Sequence, residues 1–386
     1  MARRAFIVVL DAVGAGELPD AAAFGDEGSS TLAHVAEAVG GLQLPHLGAL
    51  GLGNVMPLAG CPPEASAPSV AGRLLERSQG KDTTVGHWEL AGVVTERAFP
   101  TYPQGFPGDL LAAFSEATGR GVIGNVPASG TEIIERLGEE HQRTGKWIVY
   151  TSADSVFQIA AHETTVPLEE LYAACRTARA LLTGEHAVGR VIARPFEGEP
   201  GAYVRTANRH DFSLEPPRPN YLSRIREAGG RVTGVGKISD VFAGCDVDES
   251  HPTRSNAEGL AQTIALARGG GAGLVFVNLV ETDMTYGHRN DPGGFHRCLQ
   301  EIDAAIPDLL GALGPDDLLL LTSDHGCDPT TASTDHSREY ALLLAHVPGR
   351  GPGGRHDGEF ADVGATAAAW LGARAGDGLP GAALSL

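Results

Sequence analysis

The five cysteines, Cys61, Cys175, Cys245, Cys298 and Cys327, form no CxxC pair. An odd, scattered set argues against a disulfide framework and suits a reduced, cytoplasmic protein. Long apolar runs are also missing. None approaches the roughly 20 residues that cross a bilayer, so no membrane span is expected. Arg3 and Arg4 precede the apolar Ala5 to Leu10, but that run stops at Asp11 with no cleavage-like segment after it; it reads as a first core strand rather than a signal peptide. Basic residues are scarce, 29 against 48 acids for a formal charge of −19. Such a surface repels a polyanionic backbone and excludes general nucleic-acid binding, although not a local basic pocket. There is no repeat of fixed period and no extended low-complexity tract.

With 386 residues, 42% apolar and 20% charged, the chain has an ordinary soluble composition and enough length for two domains. Four apolar runs end in polar residues: Phe6 to Leu10 before Asp11, Trp147 to Tyr150 before Thr151, Gly273 to Val280 before Glu281, and Leu318 to Leu321 before Asp324. Runs of this kind suit strands buried on both faces. Helical stretches lie among them at Ser30 to Val39, Leu168 to Leu182, Ala257 to Arg268 and Phe295 to Leu313, so the pattern predicts an α/β fold with a largely parallel sheet flanked by helices. Proline-rich punctuation at Pro100-Thr101-Tyr102-Pro103 and Pro216-Pro217-Arg218-Pro219 brackets a segment of different character. The expectation is a core of residues 1–97 and 220–386 with a smaller inserted cap domain, 98–219. Pro348 to Gly354 reads as a surface loop and Phe360 to Leu371 as a closing helix.

Acids and histidines gather where the runs end: Asp11, then Asp283 and His288, then Asp324 and His325, then His336. In open α/β sheets chemistry sits beyond the carboxyl ends of the strands. Six carboxylate and imidazole ligands suit two metal ions, and a set without thiolate fits Mn²⁺ or Zn²⁺ better than an iron–sulfur cluster. Two ions roughly 4 Å apart can clamp the attacking and leaving oxygens of a phosphoryl group. Taken singly, each residue has a plainer role, the Asp as helix N-cap and the His as a hydrogen-bonded structural residue; the joint placement points to metal. His34, His46, His141 and His186 have no such company and read as structural. Cys327 reads as a packing residue beside the site, and Asp328 as structural or supporting.

The segment Gly80-Lys81-Asp82-Thr83-Thr84-Val85-Gly86-His87-Trp88-Glu89 is polar and offers hydroxyls. A Thr hydroxyl is a poor nucleophile without a metal or a base beside it. The alternative is a glycine-bounded turn with an Asx-type hydrogen bond at Asp82. Farther on, Arg190, Arg194, Arg205 and Arg209 stand against only Glu197 and Glu199 between His186 and His210, a basic patch in an acidic protein. Guanidinium forks suit a phosphate, although each could equally pair with a surface acid. Lys237, in Gly234-Val235-Gly236-Lys237-Ile238, is a further candidate from the core.

These residues resemble the phosphopentomutase family of the alkaline phosphatase superfamily over essentially the whole chain. The motifs that carry the likeness are the ligand set, the Gly80–Glu89 segment and Arg205-Thr206-Ala207-Asn208-Arg209-His210-Asp211. The resemblance implies an alkaline-phosphatase-like core with an inserted α/β cap. It implies that Thr83 is phosphorylated, with Thr84 the lesser choice. It further implies that Asp11, Asp324 and His325 share one ion with the phosphothreonine while Asp283, His288 and His336 hold the other, Mn²⁺ being the usual metal. The implied reaction moves phosphate between the 1- and 5-positions of ribose or 2-deoxyribose through a bisphosphate, with a sugar bisphosphate as activator and small sugar phosphates as the partners. Ser152, Asp154 and Val156 are implied to contact the sugar. A mutase must retain its bisphosphate and keep water from the phosphothreonine, which is a reason for a cap. Val85 departs from the family, where a Thr or small residue is expected. Oligomeric state is left open, with a monomer compatible. The rivals are a hydrolase with the same ligands, a cofactor-independent phosphoglycerate mutase, and a metal-binding scaffold without catalysis.

Overall fold

The computed structural model describes residues 3–152, 154–373 and 378–386. The chain divides into two compact units, residues 1–97 with 216–386, and residues 98–215. Pro216 to Pro219, which the proline run assigns to the insertion, group with the first unit instead. Arg218 is anchored there by a two-pronged contact to Asp246, at 2.9 and 2.6 Å. Asn220 then caps the helix Tyr221–Glu227.

The first unit is built on a nine-stranded sheet. Glu249–His251, Arg231–Val235, Gly273–Leu279, Arg4–Leu10 and Asp317–Thr322 lie side by side in parallel. Past them the sheet turns antiparallel, through Glu339–His346 and Ser69–Leu75, with Gly14–Glu17 as a short antiparallel addition and Gly358–Glu359 pairing parallel to Ser69–Leu75. Gly273–Leu279, Arg4–Leu10 and Asp317–Thr322 are the strands expected from the apolar runs, whereas Arg231–Val235 and Glu249–His251 lie outside them. The three expected strands are almost entirely apolar because both faces are covered: Phe6, Val8 and Leu10 share a core with Leu299, Ile302 and Ile306 of the helix Pro292–Ala312. Each fully buried aliphatic side chain of this kind contributes about 1.5–3 kcal/mol. Asp291 caps that helix by accepting from Gly294 N at 2.8 Å, and Pro292 takes the first helical position, where a missing N–H costs nothing.

Register decides where the chemistry emerges. Leu10 pairs with Leu279, and Val9 pairs with Thr322. Three central strands therefore end at one level, and the residues after them, Asp11, Asp283, Asp324 and His325, leave from the same edge of the sheet.

The second unit has a six-stranded mixed sheet in the order Val122–Pro127, Trp147–Thr151, Val156–His162, Arg190–Glu197 and Val204–Arg205, with His210–Ser213 also paired to Arg190–Glu197. The Trp147 run, read from sequence beside the three core runs, belongs to this separate sheet. Its apolar core includes Phe114, Trp147, Phe157 and Cys175. Among the described residues of the chain, no helix is long and apolar enough to cross a membrane.

Candidate metal centre

All six expected ligands converge in the first unit. The ligand atoms of Asp11, Asp324 and His325 lie within 4.8 Å of one another, as do those of Asp283, His325 and His336. His325 stands between the two groups, with Nε2 3.4 Å from both Asp11 Oδ1 and Asp324 Oδ2. Asp283 Oδ1 faces His288 Nε2 at 3.3 Å and His336 Nε2 at 3.4 Å. The three imidazoles pack on each other, His325 against His336 at 4.1 Å between centroids and His336 against His288 at 4.8 Å.

The donor set fits a cation. Asp11 Oδ1, Asp283 Oδ1, Asp324 Oδ2 and His336 Nε2 are buried yet lack a hydrogen-bond partner. Buried polar atoms without partners cost free energy, and carboxylates crowded together cost more. Burial, then the charges of Asp324 and Asp283, push the Asp11 carboxyl well above its usual range. Burial also raises Asp324, but the His325 and His87 rings outweigh it and hold that carboxyl low. Asp283 is likewise held far below the carboxylate range, against its burial, by contacts from His288 and His336. The same contact lifts His288 to about 11. A divalent ion would replace these mutually dependent protons.

The Gly80–Glu89 segment forms the helix Thr83–Leu90 rather than a bare turn. Asp82 is its N-cap, accepting from Thr84 N at 2.9 Å and Val85 N at 3.1 Å, so the Asx-type bond and the reactive hydroxyl coexist. Thr83 Oγ1 lies 3.3 Å from His325 Nε2. The close approach depends on Gly86, where a Cβ would sit 2.1 Å from the Asp324 carbonyl oxygen. One turn after Thr83, His87 is fully buried, with Nδ1 2.9 Å from Thr83 O and 3.1 Å from Asp324 Oδ2. Asn278 Nδ2 donates to Asp11 Oδ2 at 2.8 Å and lies 3.2 Å from His87 Nε2. Lys237 is near enough for its charge to lower Asp11, and its Nζ lies 3.7 Å from Met284 Sδ.

The second unit separates its expected substrate residues into two groups. Arg190 is 3.8 Å from Asp154 and 3.6 Å from Asp211, and Arg209 grips Asp211 at 2.7 and 2.8 Å. Ser152 Oγ accepts from Asp154 N at 3.3 Å. Arg194 and Arg205 both approach Gly130 and Tyr150. Val156 has a buried side chain, and its carbonyl accepts from Thr151 Oγ1 at 2.8 Å.

The chain matches the metalloenzyme superfamily over residues 3–375. It is 56% identical to a phosphopentomutase of Desulfitobacterium hafniense over 374 residues, 96% of either chain. A phosphopentomutase of Anaeromyxobacter dehalogenans is 58% identical over 374 residues, 96% of this chain and 95% of that one. The chain belongs to the phosphopentomutase family. A looser likeness, TM-score 0.49 at 13% identity, extends to Leishmania mexicana phosphoglycerate mutase crystallised at low cobalt concentration, covering 99% of this chain and 97% of that one.

As a member of the phosphopentomutase family the chain is an isomerase that binds divalent metal, and the pocket offers groups that could hold it. Against the family reading of the sequence, His87 and Asn278 are the residues missed. His87 follows Thr83 by one helical turn, a spacing that becomes visible only once the segment is read as helix. Asn278 is a polar interruption in the apolar Gly273–Leu279 strand. Cys327, read as packing, joins Asp283 and His288 with its Sγ in a third group of the same compactness. Asp328 lies off the pocket, accepting from Ser30 N at 3.0 Å and Thr330 N at 3.0 Å and facing His34 Nδ1 at 2.5 Å.

Proposed function

We propose that this chain interconverts the 1-phosphate and 5-phosphate of ribose or 2-deoxyribose, with Thr83 carrying the phosphoryl group between the two positions. The position of the Thr83 hydroxyl carries the reading. It sits 3.3 Å from His325 Nε2 and on the first residue of the Thr83–Leu90 helix, where the helix dipole favours a phosphate.

In the first half-reaction the phosphoryl group leaves Thr83 Oγ1 for the 5-hydroxyl of ribose 1-phosphate. The hydroxyl gives up its proton as the P–O bond forms, yielding the 1,5-bisphosphate, and Thr83 regains its own. In the second, Oγ1 attacks the phosphate at C1, releasing the 5-phosphate and restoring phosphothreonine. No water is consumed. A sugar bisphosphate activates the enzyme by phosphorylating a Thr83 that has lost its group. Asp11, Asp324 and His325 would hold one divalent ion, and Asp283, His288 and His336 a second. Mn²⁺ suits this carboxylate and imidazole set, and such ions favour the Thr83 alkoxide and neutralise phosphoryl oxygens. Asn278 orients Asp11 by its hydrogen bond, and the His87 ring, 3.1 Å from Asp324 Oδ2, orients Asp324. From the second unit, the exposed Asp154 and the neighbouring Ser152 are available to sugar hydroxyls.

The test is incubation with ribose 1-phosphate and Mn²⁺, following ribose 5-phosphate against inorganic phosphate. Stoichiometric ribose 5-phosphate is expected. Release of mostly inorganic phosphate would replace the mutase by a hydrolase on the same pocket.

A further inference from the structure

Cys327, expected only to pack, brings a sulfur into the metal pocket. Its Sγ lies within 4.8 Å of the ligand atoms of both Asp283 and His288, the same compactness as the two groups formed by the expected ligands. In this third group the thiol stands where His336 was expected, and His336 meets Asp283 in company with His325 instead. All three residues belong to the first unit.

The local backbone explains the meeting. Asp283 lies in the π-helical turn Thr282–Tyr286, and His288 in the 3₁₀ turn Gly287–Arg289 that follows directly. The wide turn brings these two residues to one side, so that Asp283 Oδ1 faces His288 Nε2 at 3.3 Å. Gly287 leaves room for the thiol, since a Cβ there would sit 2.9 Å from Cys327 Sγ. His288 is also oriented as a metal-binding imidazole is. Its Nδ1 lies 2.6 Å from Thr334 O, and because a carbonyl only accepts, Nδ1 carries a proton and Nε2 is the nitrogen left for a metal. The other thiols have different company: Cys61 and Cys298 lie in the apolar core of the first unit and Cys175 in that of the second. Among the described residues Cys327 is the cysteine that groups with an acid and an imidazole.

We propose that Cys327, Asp283 and His288 form a site for a thiophilic divalent ion such as Zn²⁺, overlapping the second Mn²⁺ position. Thiolate, imidazole and carboxylate are the donor types that zinc takes in tetrahedral sites, whereas thiolate is a poor match for Mn²⁺. As the ion binds, the Cys327 thiol proton and the proton between His288 and Asp283 pass to solvent, and a metal–sulfur bond forms. Zn²⁺ held in this way takes Asp283 and His288 from Mn²⁺, so the two ions exclude each other and zinc inhibits by displacement. That exclusion rests on the ligand division in the mutase reading above; the sulfur ligation does not.

Metal-free protein given two equivalents of Zn²⁺ and studied by X-ray absorption at the zinc edge tests the ligation. A sulfur neighbour at about 2.3 Å is expected in the wild type and none in Cys327→Ser. Calorimetric titration of each metal should show the preference for Zn²⁺ over Mn²⁺ falling at least about tenfold in Cys327→Ser, because a lost ligand costs no less than a lost group that merely supports one. A wild-type zinc spectrum without sulfur overturns the site, as does sulfur that persists in the variant or a preference that stays the same. If Cys327→Ser fails to fold, Cys327→Ala replaces it, and the wild-type spectrum decides in either case. Exclusion is read in the isomerase assay: Zn²⁺ should inhibit the Mn²⁺-loaded wild type more than Cys327→Ser, and excess Mn²⁺ should restore activity. Inhibition that excess Mn²⁺ fails to reverse overturns the shared position. A wild type that makes no ribose 5-phosphate from ribose 1-phosphate with Mn²⁺ refutes the mutase reading instead, and the zinc spectrum still judges the sulfur site.

Discussion

The two units hold opposite charges in opposite ways. In the first, acids and imidazoles are sealed from water: Asp324 and His325 are 0% exposed and Asp11 only 2%. In the second, Arg190 faces Asp154 and Asp211, and Arg209 faces Asp211, in or near solvent, while among the described residues Arg194 and Arg205 have no ion pair with an acid. Burial raises the stakes of every unmet interaction, because a desolvated charge without a partner loses its hydration and gains nothing back. Water screens the exposed pairs. The metal pocket should therefore respond steeply to single changes, and the paired arginines weakly.

The steepest response belongs to Thr83→Ala. Phosphoryl transfer should fall by at least about a thousandfold, as when a nucleophile is removed, while bound metal stays at the wild-type level. A coupled product assay and metal analysis of one preparation read both, and full activity would dismiss the covalent mechanism. Next come the ligands. Asp324→Asn is nearly isosteric and His336→Ala is not, yet both should weaken metal binding by more than about a hundredfold, because even groups that merely support a ligand are worth about 10–100-fold. Metal binding to the native state should also stabilise the fold, by about 2.7 kcal/mol at a hundred times Kd. A chelator should thus lower the melting temperature of the wild type and leave His336→Ala almost unmoved. Equal chelator shifts in both would mean the pocket is not where metal stabilises the chain.

Legibility in the sequence followed the same division. Three of the parallel strands could be read because a strand covered on both faces must be apolar, as Ala5–Leu10 and Leu318–Leu321 are; Arg231–Val235 and Glu249–His251 escaped because polar and part-exposed residues make them up or open them. Ser69–Leu75 and Glu339–His346 escaped, the first because half-buried positions break its run and the second because Glu339 and Tyr340 open it. The six expected ligands were legible as a cluster since each directly follows a strand or lies within one loop of it. The helix at Thr83 was not. Two threonines, a valine and a glycine are poor helix formers, and what favours helix here is the Asp82 cap together with packing on Asp324 that admits only Gly86.

His87 tests how far the pocket's demands reach. It contacts Asp324 and Thr83 O but belongs to neither expected ligand group. His87→Gln keeps a hydrogen-bonding side chain while losing the ring that spans Asp324 and Asn278, so metal affinity should drop about tenfold. Calorimetric titration of Mn²⁺ into metal-free protein measures it. Affinity equal to the wild type would restrict the pocket's sensitivity to direct ligands.

The smallest effect is expected at Arg209. Its ion pair with Asp211 joins side chains 44% and 26% exposed, and pairs of this kind contribute about 0–1 kcal/mol. Arg209→Gln should therefore shift the unfolding midpoint in denaturant only slightly. It should also raise KM less than Arg194→Gln does, since an arginine already facing a carboxylate has less to offer a phosphate. If the two substitutions raise KM equally, the Asp211 partner is surrendered when substrate binds. Pairing in the free protein would then no longer tell a structural arginine from one that waits for an anion.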